Sequence, residues 1–171
     1  MYKRQAHVNI TEAYGEAAAT VLAKWAARSP GLQSCIVRVQ TDNRLQAFEW
    51  LTLPDGGWLK ADAVDHDCAH DLIGAQDIAW DLAGAAVEFA LTPSEQVRLR
   101  LGVEAHGGCS VDLDLLAFYL PCYLAFQLGA YTMAADNHGH WPQEQARLAA
   151  SRDRYAKGLR QLISEAATPP G

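Results

Sequence analysis

The sequence predicts an α+β fold, mostly helical, in which one short β-hairpin and its preceding loop interrupt a succession of helices. Three observations predict it. Apolar residues recur at helical spacing near the N-terminus and again along most of the chain beyond Asp77. Two short β-prone runs flank a Pro54-Asp55-Gly56-Gly57 turn, a strong hairpin signal. The chain has 171 residues, 50% hydrophobic and 20% charged, enough for one globular domain that buries most of its surface.

Taken in order, the first element is a helix over Thr11 to Arg28, where Tyr14, Ala17, Ala18, Val21, Leu22 and Trp25 fall on one face. Thr11 is its expected N-cap, and Ser29-Pro30-Gly31 its stop. Cys35 to Val39 is β-branched and mostly apolar, so it reads as a strand. Leu45 to Leu53 and Trp58 to Ala61 form the hairpin. Ala63 to Gly74 is too polar for a core strand and reads as a loop. A helix over Asp77 to Leu91 carries Ile78, Leu82, Ala85, Ala86 and Phe89. Thr92-Pro93-Ser94-Glu95 then has the T-x-x-E form of a capping box, with proline at the first helical position. That helix ends at His106-Gly107-Gly108. Ser110 to Ala135 is long and apolar, with a kink or break expected at Pro121. A final amphipathic helix covers Gln143 to about Ser164. One domain is expected over residues 6–166, with a frayed tail at 167–171.

The formal charge of −6 argues against a polyanion-binding protein, which needs an excess of Lys and Arg to neutralise phosphates. The longest apolar run, Leu115 to Phe126, is 12 residues, too short to span a bilayer and broken by Pro121. No apolar block follows Lys3-Arg4, so no signal peptide is read and a cytoplasmic location is expected. Cys35, Cys68, Cys109 and Cys122 form no C-x-x-C pair and read as free thiols. Met1-Tyr2-Lys3-Arg4-Gln5 matches the translation of a transposon-end sequencing adapter, which makes residues 1–5 an expected non-native start.

Two features could carry chemistry. One is Thr41-Asp42-Asn43-Arg44, just before the hairpin. The other is the run Asp62, Asp65, His66, Asp67, His70, Asp71, Asp77, Asp81. Nine of the 20 acids lie between Asp42 and Asp81. Clustered carboxylates repel, so they persist where solvent, a cation or a basic partner compensates them. Plainer roles stand beside this one: Asp42 suits an Asx-turn, Asp62 a strand-end turn, and Asp71 and Asp77 helix N-caps.

The stretch from Asp42 to Gly84 resembles the catalytic core of the aminoglycoside phosphotransferase and choline kinase-like small-molecule kinases. Those proteins carry an H-G-D-x-H-P-x-N loop, a hairpin, an I-D-[WF] metal-binding Asp and a G-D-P-x-[WY]-D-L-A helix start. Gln40-Thr41-Asp42 stands for the first element, Leu59-Lys60-Ala61-Asp62 for the second and Gln76-Asp77-Ile78-Ala79-Trp80-Asp81-Leu82-Ala83 for the third. The helices downstream, including Tyr119 to Gly129, look like the C-terminal lobe of that kinase-like fold.

The resemblance implies an ATP- and Mg²⁺-dependent phosphotransferase acting on the hydroxyl of a small molecule. It has a nucleotide as second substrate and neither nucleic acid nor membrane as partner. Asp42 would be the catalytic base and Asp62 the metal ligand. Although 20 positions apart, the two lie at opposite ends of a hairpin, which brings its ends together. Glu49 could add a metal oxygen. Asp65, His66 and His70 would line the substrate cleft. Asp77, Asp81 and Trp80 would support the site, Asp81 by bonding the backbone of the catalytic loop. An acidic cleft suits a cationic or polyhydroxylated acceptor.

The departures matter too. Gln40 replaces the loop His, and the second metal ligand of that family falls on Ala47. No Gly-rich phosphate loop precedes Asp42, and Lys24 lies on an alanine-rich helix rather than a strand. A lobe separated from its nucleotide-clamping half is therefore expected, with no phosphoryl transfer by residues 1–171 alone. Two other classes compete. One is a degenerate kinase-like binding module. The other is an HD-type metal-dependent phosphohydrolase, built on His66, His70-Asp71 and Asp77.

Overall fold

Helix α1 runs Tyr2–Tyr14, so it starts well before the expected cap at Thr11 and takes in residues 2–5 of the stretch read as a non-native start. Thr11 sits inside it, its hydroxyl 3.3 Å from His7 Nδ1 one turn back. The helix stops because Gly15 adopts φ +81°, a left-handed conformation that glycine enters without steric cost, while its N–H still bonds Thr11 O. The computed structural model describes residues 2–16, 18–20, 27, 29–61, 75–108 and 110–167. Most of the expected helix beyond residue 20 lies outside that set, as does the loop expected over residues 63–74.

The described chain forms two compact units, residues 1–30 with 121–171 and residues 31–120. In the first, α1 packs with the C-terminal part of α5 (Leu113–Asn137) and with α6 (Pro142–Ala167). Its core includes Ile10, Leu128, Tyr155 and Leu159, all buried. Buried Asn9 donates from Nδ2 to the Ala125 carbonyl at 2.8 Å, and Tyr14 donates to the Ala156 carbonyl at 3.0 Å. Gly129 permits the first contact: a Cβ there would lie 2.8 Å from the Asn9 side-chain carbon. Helix α5 has 25 residues and carries Pro121 without ending. It is long and apolar enough to cross a membrane by composition, which the 12-residue run alone does not suggest; half of its most apolar window is buried inside the fold.

The second unit begins inside a helix. Ser29-Pro30-Gly31, expected to stop a helix, instead opens α2, Ser29–Cys35. The strand expected over Cys35 to Val39 is absent; only Val39 makes an isolated bridge, to Gln76. The reason is local. The Val37 N–H goes to the Asp77 carboxylate at 2.9 Å, so a side chain takes the donor a neighbouring strand would have used.

The hairpin forms as expected but shorter. Ala47–Glu49 is a 3₁₀ turn, β1 is Trp50–Thr52 and β2 is Trp58–Lys60, paired antiparallel with Trp50 opposite Lys60. Gly56 takes φ +83° in the tight turn. One face of the ribbon is anchored by aromatics: Trp50 and Trp58 both meet Phe89, with ring centroids 5.7 and 5.3 Å away. Phe89 closes helix α3, Ala79–Glu88, which buries Ala79, Trp80, Leu82, Ala83 and Ala86. Helix α4, Pro93–Gly107, begins with the expected capping box. Thr92 accepts from the Glu95 N–H, the Glu95 carboxylate accepts from the Thr92 N–H, and Gly108 ends the helix at φ +66°.

Candidate functional site

Buried polar side chains mark the place. Of the seven among the described residues, Thr41, Asn43, Glu49, Gln76 and Asp77 sit where the Thr41–Arg44 loop meets the hairpin and the start of α3. Burying polar groups costs free energy unless each finds a partner. Here the partners converge on one loop.

Asp81, on the first turn of α3, holds that loop through its backbone. One carboxylate oxygen accepts from the Asp42 N–H at 2.7 Å and the other from the Asn43 N–H at 3.0 Å. Asn43 takes φ +63°, a conformation asparagine tolerates better than most residues. Thr41 donates from its hydroxyl to Asn43 Oδ1 at 3.2 Å, and Asn43 Nδ2 donates to the Thr41 carbonyl at 3.4 Å. Asp42 Oδ1 accepts from the Arg44 N–H at 3.1 Å, so Asp42 does form an Asx-turn. The same oxygen faces Lys60 Nζ at 3.2 Å.

Lys60 is the residue that sequence reasoning passed over. It ends β2 with 11% of its side chain exposed, and its ammonium stands 3.2 Å from Asp42 and 3.7 Å from Glu49 Oε2. The ribbon aims it there: Lys60 pairs with Trp50 across the sheet, and the next N–H, of Ala61, donates to the Glu49 carbonyl at 2.7 Å. One sequence signal was available. Lys60 and Arg44 are the only Lys or Arg residues between Asp42 and Asp81, against nine acids.

No protein-family model, curated protein or solved structure matches this chain. The site therefore stands on its own geometry.

The sequence-predicted residues divide clearly. Asp42, Glu49 and Asp81 come together with Lys60. Asp77 lies alongside, both oxygens engaged: Oδ2 takes the Val37 N–H and Oδ1 the Ala79 N–H, the first amide of α3, each at 2.9 Å. Trp80 faces the core, 1% exposed, against Tyr119 with centroids 5.6 Å apart. Asp62, Asp65, His66 and His70 lie outside the described residues. Among the described residues no group of three or more His, Cys, Asp or Glu is placed to hold a metal. Beside the loop runs an apolar groove of about 910 Å³ whose wall includes Leu45, Trp50, Trp58, Asp81, Phe89 and Leu99.

Burial pushes the Asp81 carboxyl from 3.8 up to about 6, against the opposing pull of the two backbone donors and of Lys60, with Asp42 adding a smaller upward push. Because the folded value lies above the unfolded one, the folded chain binds this proton more tightly. The stabilisation this gives is complete below about pH 4 and is lost as pH rises through about 6. The Asp42 and Asn43 amide resonances, which report directly on the carboxylate, should titrate together with a midpoint near 6. Amide shifts that stay flat between pH 5 and 7, a range around that midpoint, would contradict this assignment.

Proposed function

We propose that this chain carries the acceptor-activating site of an ATP- and Mg²⁺-dependent phosphotransferase acting on a small-molecule hydroxyl, with Asp42 as its base. One observation carries the reading. An Asp from the start of a buried helix grips the backbone of a loop Asp through both oxygens, while the loop Asp faces a strand lysine across a short hairpin. A structural Asx-turn needs neither the second carboxylate nor the lysine. A proton acceptor that must keep one position needs such support.

In this reading the chain's residues divide the work. Asp81 fixes the loop, and the Asn43 conformation turns the Asp42 carboxylate toward the hairpin. Asp42 would take the proton of the acceptor hydroxyl as that oxygen bonds to the γ-phosphorus of ATP, while the bond from that phosphorus to its bridging oxygen breaks and ADP leaves. Lys60, beside Asp42, would offer its positive charge to the negative charge that gathers on the transferring group. Carboxylate oxygens suit a hard cation, but the spot between Asp42 and Glu49 is taken by Lys60, so Asp62 becomes the candidate metal ligand. When bound, Mg²⁺ and ATP supply the phosphoryl group and neutralise its oxygens. The engaged oxygens of Asp77 speak against its service in an HD-type ligand set.

The test is ATP-dependent phosphorylation of a panel of cationic and polyhydroxylated alcohols by the product of the complete reading frame that contains this chain, read by mass spectrometry. At least one acceptor should gain a phosphoryl group. Asp42→Asn should lower kcat roughly 10²- to 10⁴-fold with little change in KM. Transfer to no acceptor, or an undiminished Asp42→Asn enzyme, overturns the proposal.

A further inference from the structure

We infer that Lys60 is a built-in cation standing where a second metal ion would otherwise sit, so that Glu49 binds Lys60 and not metal. The purpose of this arrangement rests on the phosphotransferase reading above; its geometry does not.

Three observations carry it. First, the ammonium lies within ion-pair reach of two carboxylates from different elements, Asp42 of the loop and Glu49 of the 3₁₀ turn, at 3.2 and 3.7 Å. Second, all three groups are withdrawn from water: side-chain exposure is 11% for Lys60, 18% for Asp42 and 11% for Glu49. A buried carboxylate next to another is tolerated only where positive charge compensates the pair, and here that charge is covalently part of the strand. Third, the ribbon register leaves Lys60 little choice of position. Its partner across the sheet is Trp50, and the Ala61–Glu49 backbone bond locks the next position.

A divalent ion in the same place would meet the ammonium at close range, and like charges at that distance exclude each other. Glu49 therefore contributes no metal oxygen while Lys60 is present. A lysine also differs from a metal in what it does. It brings one positive charge instead of two, needs no free cation from solution, and offers N–H donors that can point at phosphoryl oxygens. The site that results has a demand for dissolved metal reduced by one ion.

The experiment is Mn²⁺ binding to the folded chain, counted by the loss of the free-ion electron paramagnetic resonance signal, with no nucleotide or acceptor present. Lys60→Met should bind about one more Mn²⁺ per chain than the wild type, and the added ion should vanish in Lys60→Met/Glu49→Gln. Glu49→Gln in the wild-type background should leave the count unchanged, and this arm decides the question even if Lys60→Met does not fold. A wild-type chain that loses an ion on Glu49→Gln has Glu49 as a ligand, which overturns the inference, as does a folded Lys60→Met chain that gains none. Because no transfer reaction enters this measurement, it can fail while Asp42→Asn still slows phosphorylation, and the reverse.

Discussion

Asp81→Asn releases the Asp42–Asn43 loop while leaving α3 folded. The substitution keeps the side-chain volume but turns one of two acceptors into an NH₂ donor, which confronts a backbone N–H at a position where 2.7 and 3.0 Å bonds now form. Leaving one buried donor unsatisfied costs about 1–3 kcal/mol at the loop. The Asn43 backbone at φ +63° then loses part of what holds it there. Amide hydrogen exchange at Asp42 and Asn43 should speed up by about tenfold or more, which corresponds to about 1.4 kcal/mol of local opening. Global stability should move much less, because the same change removes a carboxylate that burial disfavours at neutral pH. Under the proposed function, kcat falls with the loop. Unchanged exchange at both amides would show that contacts other than Asp81 hold it.

The neighbouring substitution acts the opposite way. Trp80→Ala should cost about 3–5 kcal/mol, the range for truncating a large buried aromatic side chain. Trp80 is 1% exposed and packs edge-on against Tyr119, itself 1% exposed, with centroids 5.6 Å apart. Since a domain of ordinary stability has about 5–15 kcal/mol in all, this is a large share. Thermal unfolding followed by circular dichroism should show a fall in Tm of at least 10 °C, on the order of what such a loss implies for a unit this small. Loss at Trp80 with retention at Asp81 would separate the two faces of one helical turn: one sustains the core, the other the loop. A small change at Trp80 would mean that the surrounding helices close over the gap.

Much of the chain was legible because local chemistry decides it. The capping box at Thr92 and Glu95 needs only the spacing of two side chains around one proline. The turn over Pro54–Gly57 needs a glycine with positive φ, and Gly56 supplies it. The apolar face of α3 follows from its helical period. The expected Cys35 to Val39 strand failed because β-branched residues only favour an extended chain. Whether a ladder forms depends on what else offers an acceptor, and here Asp77 offered one from 40 positions away.

The candidate site shows the same division. Sequence alone determined that carboxylates crowd between Asp42 and Asp81, that a hairpin intervenes, and that Asp81 opens an apolar helix. Those are properties of composition, turn chemistry and periodicity, each set within a few residues. Tertiary structure decided which carboxylate carries which burden: Asp81 on the loop backbone, Asp77 on the first amide of α3, Glu49 and Asp42 on Lys60. Such pairings join residues far apart in the chain, and a charge selects its partner by distance and exclusion from water, neither of which exists until the chain has folded.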